Sequence, residues 1–245
     1  MARADRANGE DGDLTFHYGG RSTVQVMRTT TPGIDELVDA LVGAFGSMTA
    51  AEQPLVAAAY GLLAEGAPVD PAVIAGAAGW RSGDVEVRFG SWPGGVYLDD
   101  DARLVGLWGM AVEAVSSHEL RVDGKQPVWM WCALDPLFIV PLLAADAQVT
   151  ATCPTTGALI RLRVGSEGVE GLEPASAVVS FLIPDGPFDD DVRQTFCHFV
   201  HFFASPAAAD AWIATHPGSF WLPVTDAAEI GRRLAGKAFP AVLSS

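Results

Sequence analysis

The sequence predicts an α+β protein, in which an N-terminal helical, winged-helix-like segment packs on a C-terminal core of mixed or antiparallel β-sheet with flanking helices. Three observations support this prediction. Apolar residues recur at helical spacing after Pro32, strand-like segments dominate after residue 113, and 49% of the 245 residues are hydrophobic. We therefore divide the chain into a poorly ordered extension (1–30), a winged-helix-like helical domain (31–112) and a second domain (113–245).

The extension is rich in Gly, Asp, Arg and Thr and lacks a sustained hydrophobic period, so we expect only a short strand there, at 22–27. The first helix follows it, because six apolar residues share one helical face: Ile34, Leu37, Val38, Leu41, Val42 and Phe45. A second helix fits 51–63. A third fits 71–78, with Asp70 as its N-cap and Pro71 at its first position. Ser82 can cap a fourth helix, and 104–112 is typical of a strand.

Charge argues against DNA binding by this winged-helix-like segment. Residues 31–110 contain eleven acidic and three basic side chains, and the whole chain has a net charge of −15. A polyanionic partner would be repelled, since binding to phosphates depends on basic contacts. We therefore expect neither a nucleic acid nor a membrane partner, and we interpret the segment as a scaffold for the rest of the chain.

Strands and helices alternate in the second domain. The predicted strands cover 118–122, 128–131, 148–152, 158–164 and 177–183. A helix begins at Ser205, which caps it, with Pro206 at the first position, and a last helix covers 225–237.

Cysteine usage and hydropathy indicate a reduced, cytoplasmic protein. The three cysteines are far apart and odd in number, which is atypical of a disulfide-stapled secreted domain. Charged residues interrupt the N-terminus, so we expect no signal peptide. The longest apolar run, 136–145, is shorter than the roughly 20 residues that a membrane helix needs.

Two segments carry residues that could do chemistry. In the first, Trp129-Met-Trp-Cys132-Ala-Leu-Asp135-Pro136, Cys132 can be a buried small hydrophobe and Asp135 a helix N-cap. Alternatively, Asp135 lies at a strand-to-helix junction, because a residue before proline avoids the helical region. Its side chain could then face a pocket and converge there with Cys132.

The second segment covers 191–203 and includes Cys197, His198 and His201. As a strand it would place Cys197, Phe199, His201 and Phe203 on one face. Such a strand could be ordinary core, and a zinc site built from cysteine and histidine is a further alternative, although the spacings are wide. Cys153, in Cys153-Pro-Thr-Thr-Gly157, fits a structural turn between two strands.

These segments resemble, in order, motifs of the alkylmercury (organomercurial) lyases. Trp131-Cys132-Ala-Leu-Asp135 is similar to the first catalytic segment of that family, and Thr152-Cys153-Pro-Thr-Thr-Gly157 to its third-cysteine turn. The segment 191–205 is similar to its second catalytic segment, except that His198 stands where some relatives have another cysteine. The resemblance covers residues 110–235, and a weaker likeness extends back through Gly79-Trp80.

The resemblance implies protonolysis of a carbon–mercury bond, which gives a hydrocarbon and Hg(II). It assigns Cys132, Cys197 and Asp135 as catalytic residues and mercury ligands, and Cys153 as structural. It implies no resident cofactor, an organomercurial substrate, low-molecular-weight thiols that release Hg(II), and a mercuric reductase that could receive it.

The residue types suit that chemistry. Thiolates are the soft ligands that a soft metal prefers, and a thiol with a pKa of about 8.5 needs a proton acceptor at neutral pH. Asp135 can accept that proton and deliver it to the leaving carbon. We expect a partly dry pocket around them, formed by Trp129, Trp131, Phe196 and Phe199.

Two other functions remain open from the residues alone. A non-catalytic carrier of soft metals such as Hg or Cu would use the same two cysteines without Asp135. A winged-helix regulator that responds to metals would need affinity for DNA, which the charge opposes.

Overall fold

The computed structural model describes residues 32–243, except 47, 93, 166 and 189–191. The predicted extension and its strand at 22–27 therefore lie outside the described residues. From Gly33 onward the described chain forms one compact unit.

Four helices come first in the described chain: α1 (Ile34–Phe45), α2 (Glu52–Leu63), α3 (Pro71–Ala78) and α4 (Ser82–Gly90). All four agree with the predicted helices, because their signals are local. Asp70 caps α3 by accepting a hydrogen bond from the backbone N–H of Ala72 at 2.7 Å, and Gly79 ends it with a φ of +72°. Ser82 begins α4 but makes no side-chain capping bond.

An eight-stranded sheet follows, and all of its strand pairs are antiparallel. Its spatial order is β1-β2-β3-β5-β4-β6-β7-β8. The strands are β1 (Val96–Leu98), β2 (Leu104–Leu107), β3 (Met110–Ala111), β4 (His118–Val122), β5 (Val128–Met130), β6 (Ala147–Thr152), β7 (Leu159–Gly165) and β8 (Gly168–Glu173).

Two parts of this sheet differ from the prediction. The single strand expected at 104–112 is wrong, since Trp108 and Gly109 form a turn that folds it into the hairpin β2–β3. Gly109 has a φ of +101°, a conformation that glycine adopts far more easily than other residues. Strand β8 was not predicted.

A second, three-stranded sheet has the order β10-β9-β11 and comprises β9 (Val178–Phe181), β10 (Phe202–Phe203) and β11 (Phe220–Pro223). Every residue of β9 and β10 is buried. Between these strands lie α6 (Val192–Thr195), a short 3₁₀ helix (Cys197–Phe199) and α7 (Pro206–Ile213). Ser205 caps α7 by accepting the backbone N–H of Ala208 at 3.3 Å, as predicted.

The central helix α5 (Asp135–Leu143) is apolar and mostly buried, and α8 (Val224–Ala238) packs on it. Their backbones approach so closely that a Cβ on Gly231 would lie 2.6 Å from the carbonyl carbon of Leu137. Ion pairs from Arg233 to Asp35 and from Lys237 to Asp39 then join α8 to α1. A last short helix, α9 (Pro240–Leu243), ends the described chain.

The α+β class is therefore confirmed. The predicted boundary between residues 112 and 113 lies between β3 and β4, which belong to the same sheet. The division into two domains and the winged-helix-like character of the first stay predictions. Among the described residues, no helix combines the length and the apolar character that crossing a membrane requires.

Candidate functional site

The site begins where β5 ends and α5 starts. Between them, Trp131 to Leu134 bend the chain, and Asp135 is the first residue of α5. The Asp135 carboxylate turns back, and its Oδ2 accepts the backbone N–H of Cys132 at 2.6 Å. The interpretation of Asp135 as an N-cap is therefore wrong, because its side chain bonds an N–H before the helix and none within it. The predicted strand-to-helix junction is confirmed.

Cys197 reaches the same place from a separate segment. The predicted strand is wrong here: Phe199 donates its N–H to the carbonyl of Phe196 and Val200 to that of Cys197, so the chain coils after α6. Within 192–203, only Phe202 and Phe203 belong to a strand. The N–H of Ala133 bonds the carbonyl of Val200 at 3.0 Å, which ties this coil to the Cys132 segment.

Cys132, Asp135 and Cys197 converge. One ligand atom from each, the two sulfurs and a carboxylate oxygen, lie within 4.8 Å of one another. The exposed fractions are 1% for Cys132 and 6% for Asp135 and Cys197. No other group of three potential metal-ligating side chains is found in the described part of the chain. Two sulfurs and one oxygen suit a soft metal ion, for which thiolate is the preferred protein ligand.

Burial makes Cys132 and Asp135 hold their protons more tightly than they would in water. It raises the pKa of Asp135 to about 7, and hydrogen bonds from Cys132 oppose that rise only in part. The pKa of the Cys132 thiol is raised well above its ordinary value by burial, then by its hydrogen bond with Cys197 and by the negative charge of Asp135. Near neutral pH the carboxyl is therefore divided between its two protonation states, and it can both accept and give a proton.

A cavity of about 250 Å³ opens beside this cluster. Most of its lining is apolar: Phe45, Ser91, Trp92, Trp108, Gly109, Trp131, Leu134, Asp135, Phe138, Phe188, Val192, Phe196, Cys197 and Leu234. The predicted contributions of Trp131 and Phe196 are confirmed. Those of Trp129 and Phe199 are wrong, since neither residue lines the cavity. Phe199 instead packs edge-on against Trp212.

Sequence reasoning missed most of this lining, because it comes from α1, α4, the β2–β3 turn and α8. Gly109 is the closest of these to the cluster. A Cβ on Gly109 would lie 2.5 Å from Oδ1 of Asp135, so only glycine fits there. The one sequence signal was a glycine inside a strand pattern, which indicates a break or a close backbone approach.

The four histidines in the described part of the chain lie elsewhere. His198, His201 and His216 form an aromatic group with Trp212, and His118 stacks on His201. None of them lines the cavity. The alternative of a zinc site with cysteine ligands receives no support, since no histidine joins the metal-ligand group found among the described residues.

Cys153 lies in the predicted turn between β6 and β7, where its carbonyl accepts the N–H of Gly157 at 2.9 Å. It is not part of the cluster. Burial by itself raises its pKa, but hydrogen bonds from Thr156 and from backbone N–H groups outweigh that effect and lower the pKa.

Several known proteins are similar to this chain in sequence. The family model described as alkylmercury lyase matches residues 113–236. An alkylmercury lyase of Staphylococcus epidermidis is 40% identical over 176 residues, which are 72% of this chain and 79% of the relative. One of Pseudomonas putida is 39% identical over 175 residues, 71% of this chain and 80% of the relative.

A solved structure shares the fold. The crystal structure of the mercury-bound form of MerB2 aligns with a TM-score of 0.62, covering 84% of this chain and 98% of that one. The two sequences are 19% identical, so this likeness bears on the fold alone.

Proposed function

Since the chain belongs to the alkylmercury lyase family, we propose that it cleaves the carbon–mercury bond of organomercurials by protonolysis, giving a hydrocarbon and Hg(II). In this proposal Cys132 and Cys197 bind mercury and Asp135 relays the proton. Mercury is substrate and product, and no resident cofactor takes part.

The spacing of the two sulfurs is the observation that carries the proposal. A mercury atom bound linearly between two thiolates at about 2.3 Å each, by analogy with zinc–sulfur distances, needs sulfurs about 4.6 Å apart. The sulfurs of Cys132 and Cys197 are within 4.8 Å of each other, and a carboxylate oxygen of Asp135 is within the same distance of both. One mercury can therefore contact both thiols beside a proton donor.

The first step is an exchange of thiolates. An organomercurial enters as R–Hg–SR′, where R′S is a small external thiolate, and one cysteine thiol replaces that group. The sulfur–mercury bond to the protein forms, the bond to the external sulfur breaks, and the cysteine proton leaves on the external thiol. The enzyme then holds Cys–S–Hg–R in a buried site.

The second cysteine supplies the proton for cleavage. Its thiol gives the proton to the Asp135 carboxylate, and the new thiolate binds mercury. Two thiolates increase the electron density on the bound carbon, and protonated Asp135 delivers its proton there. The carbon–mercury bond breaks as the carbon–hydrogen bond forms, leaving R–H, Hg(II) on two thiolates and the Asp135 carboxylate. The pKa of about 7 at Asp135 suits both roles.

The apolar cavity serves the organic group. It adjoins Cys197 and Asp135, and its aromatic walls can surround R and keep bulk water away from the proton on Asp135. Exclusion of water strengthens the electrostatic interactions among the thiolates, the carboxyl and mercury.

Release of Hg(II) needs external thiols in this proposal. Two protein thiolates hold the ion in a buried site, so low-molecular-weight thiols would displace them one at a time. A mercuric reductase is the proposed receiver of the ion.

The test is release of benzene from phenylmercury by purified protein in excess thiol, measured by gas chromatography. We expect Cys132→Ala and Cys197→Ala each to lower the rate by about 10³-fold or more, in line with the loss of an essential reacting group. Full activity in either variant would overturn the assignment.

A soft-metal carrier is the second candidate, because the same two sulfurs would serve it. A carrier would bind phenylmercury in equal stoichiometry without releasing benzene, so the same assay separates the two.

We also propose that residues 31–112 act as a winged-helix-like scaffold for this site. Their charge supports a packing role over DNA binding, and a gel-shift experiment at low salt, where any such binding would be strongest, should show no complex.

A further inference from the structure

The turn of Trp108 and Gly109 lies directly over Asp135, and three hydrogen bonds hold its backbone. The N–H of Trp108 donates to the carbonyl of Gly95 at 2.8 Å, and the N–H of Trp131 donates to the carbonyl of Gly109 at 2.8 Å. The third comes from a side chain, the hydroxyl of Tyr60, which donates to the carbonyl of Trp108 at 2.8 Å.

The contact between this turn and Asp135 leaves no free space. A Cβ on Gly109 would lie 2.5 Å from Oδ1 and 2.7 Å from Cγ of Asp135. The glycine backbone therefore covers one side of the carboxyl. The Trp108 ring beside it contacts Trp92 and Phe45, at centroid distances of 4.6 and 5.6 Å, and forms part of the cavity wall. A shift of the turn would change both the hydration of the carboxyl and the wall.

Tyr60 reaches the turn from α2, 48 residues earlier in the chain. Its side chain is fully buried and packs edge-on against Phe138 at 6.4 Å. Burial, and secondarily the negative charge of Asp135, raise the pKa of Tyr60 well above its ordinary value. The phenol is therefore protonated at neutral pH and acts as a hydrogen-bond donor.

We propose that Tyr60 is a positioning residue for the cleavage reaction, whose hydroxyl holds the Trp108–Gly109 turn against Asp135 and so keeps the carboxyl shielded from water. The inference rests on the proposed function, in which Asp135 relays the proton. It gives the N-terminal helices a direct part in the site, in addition to their role as scaffold.

Loss of the hydroxyl should act through Asp135. Without its third hydrogen bond the turn can move outward, and water can then reach the carboxyl. The carboxyl then loses the glycine backbone that covers one of its sides, and it is held less firmly toward the carbon on mercury. Cleavage therefore slows, while mercury binding by the two thiols is retained.

Tyr60→Phe tests this inference, because it deletes one oxygen and keeps the ring. We expect kcat for benzene release to fall about tenfold, the rate equivalent of about one hydrogen bond, with KM changed by less than about threefold. Hydrogen exchange of the Trp131 amide, which donates to the carbonyl of Gly109, reports whether the turn has moved, and its rate should rise by about threefold or more.

Thr155→Val is the matched control. It also removes a hydroxyl that donates to a distant carbonyl, that of Ala208 at 2.9 Å, and it lies away from the cavity lining. We expect it to leave kcat and the exchange rate of the Trp131 amide unchanged. Equal effects in the two variants would overturn the inference, since a general loss of stability would then account for both.

Gly109→Ala probes the other end of the same contact and keeps the inference testable if Tyr60→Phe does not fold. Its methyl group should displace Asp135 and change the same two readouts, and unchanged values would overturn the inference. The exchange measurement needs no substrate. Absence of benzene release by the wild type would therefore refute the proposed function, while an exchange rate of the Trp131 amide that does not respond to Tyr60→Phe would refute the positioning role.

Discussion

Cys132 and Cys153 are equally little exposed, each 1%, yet their surroundings shift the thiol pKa in opposite directions. Cys132 lies deep in the core beside an apolar cavity, a second thiol and a carboxyl, and its pKa is raised. Cys153 lies nearer the surface, accepts hydrogen bonds from Thr156 and from the backbone N–H groups of Ala204, Thr156 and Thr155, and its pKa is lowered. Equal exposure therefore does not fix the pKa of a thiol; the depth at which it is buried and the hydrogen-bond donors around it do.

The comparison also shows that a low thiol pKa and a site suited to mercury do not occur at the same cysteine. A thiol with a lowered pKa is usually the more reactive one. Here the thiol with the lowered pKa has no second sulfur or carboxylate in a ligand group with it, among the described residues. The thiol with the raised pKa has both. The structure thus places an acceptor, Asp135, where a proton must be removed, and uses N–H donors at Cys153 to fasten a turn.

The largest expected effect comes from removing that acceptor. Asp135→Asn keeps the shape of the side chain and can still accept the N–H of Cys132, but it cannot take a proton from a thiol. We expect benzene release from phenylmercury to fall by about 10²–10⁴-fold, the usual range for loss of a general acid–base group. Binding of one phenylmercury per chain should be retained, as measured by mass spectrometry after gel filtration.

Asp146→Asn is the matched control, since Asp146 is an exposed aspartate that pairs with Arg163 at 3.1 Å. It should cleave at the wild-type rate. Wild-type cleavage by Asp135→Asn would remove the proton relay from the mechanism, and with it the reason for the difference between Cys132 and Cys153.

Local sequence signals predicted the helices of this fold well. The cap of α3 is a bond between Asp70 and Ala72, two residues later. The start of α7 depends on Ser205 and Pro206. Each signal therefore lies within one helical turn of the chain. The turn at Cys153 is local in the same sense. Such elements could be predicted because the residues that determine them are neighbours in sequence.

Segments that are buried on all sides were predicted less well. The alternation of Cys197, Phe199, His201 and Phe203 suggested a strand. Apart from the exposed His198, however, the side chains on both of its supposed faces are buried or half-buried. A hydrophobic period therefore carries little directional information there. The strand at 104–112 failed for a different reason, since the approach of Gly109 to Asp135 breaks it, and that contact joins residues 26 positions apart.

The residues of the candidate site also differ in whether neighbouring sequence could predict their roles. Cys132 and Asp135 are three residues apart, so their convergence could be expected from sequence. Cys197 was identified through a family resemblance. Tyr60, which precedes Asp135 by 75 residues, gave no signal at all, because its role depends on the position of a turn that the sequence did not predict.

A second prediction concerns the stability cost of keeping Asp135 buried. Its pKa is about 7 in the folded protein and 3.8 as the ordinary value, so the folded state binds the proton more tightly. The stability that this tighter proton binding contributes is fully present below pH 3.8 and is lost as the pH rises through 7. Asparagine cannot ionise, so Asp135→Asn should exceed the wild type in free energy of unfolding at pH 8 by up to about 4 kcal/mol.

Urea unfolding at pH 5 and pH 8 measures this effect. The gap between Asp135→Asn and the wild type should widen as pH rises. A gap that is the same at both values would mean that Asp135 is not held in its protonated form by burial, and the contrast with Cys153 would then rest on the thiols alone.

The smallest expected effect is at Cys153. Cys153→Ala leaves the Thr156 hydroxyl and nearby backbone N–H groups without their sulfur acceptor. Thr155 and Thr156 are exposed, so water can take its place in part, and we expect a loss of about 1 kcal/mol in the free energy of unfolding, measured by urea titration at pH 7. Benzene release should stay within about twofold of the wild type. Cys153→Ser is the matched variant, because its hydroxyl oxygen can accept the same donors.

The serine variant also decides what Cys153 does. If Cys153 only fastens the turn between β6 and β7 to the chain at Ala204, an oxygen in place of sulfur should recover most of the stability that alanine loses. Activity would then be indifferent to both variants. If instead both variants lost benzene release as severely as Cys197→Ala, the third thiol would have to take part in moving mercury. The lowered pKa of Cys153 would then serve the reaction and would not merely result from the hydrogen bonds that stabilise the turn.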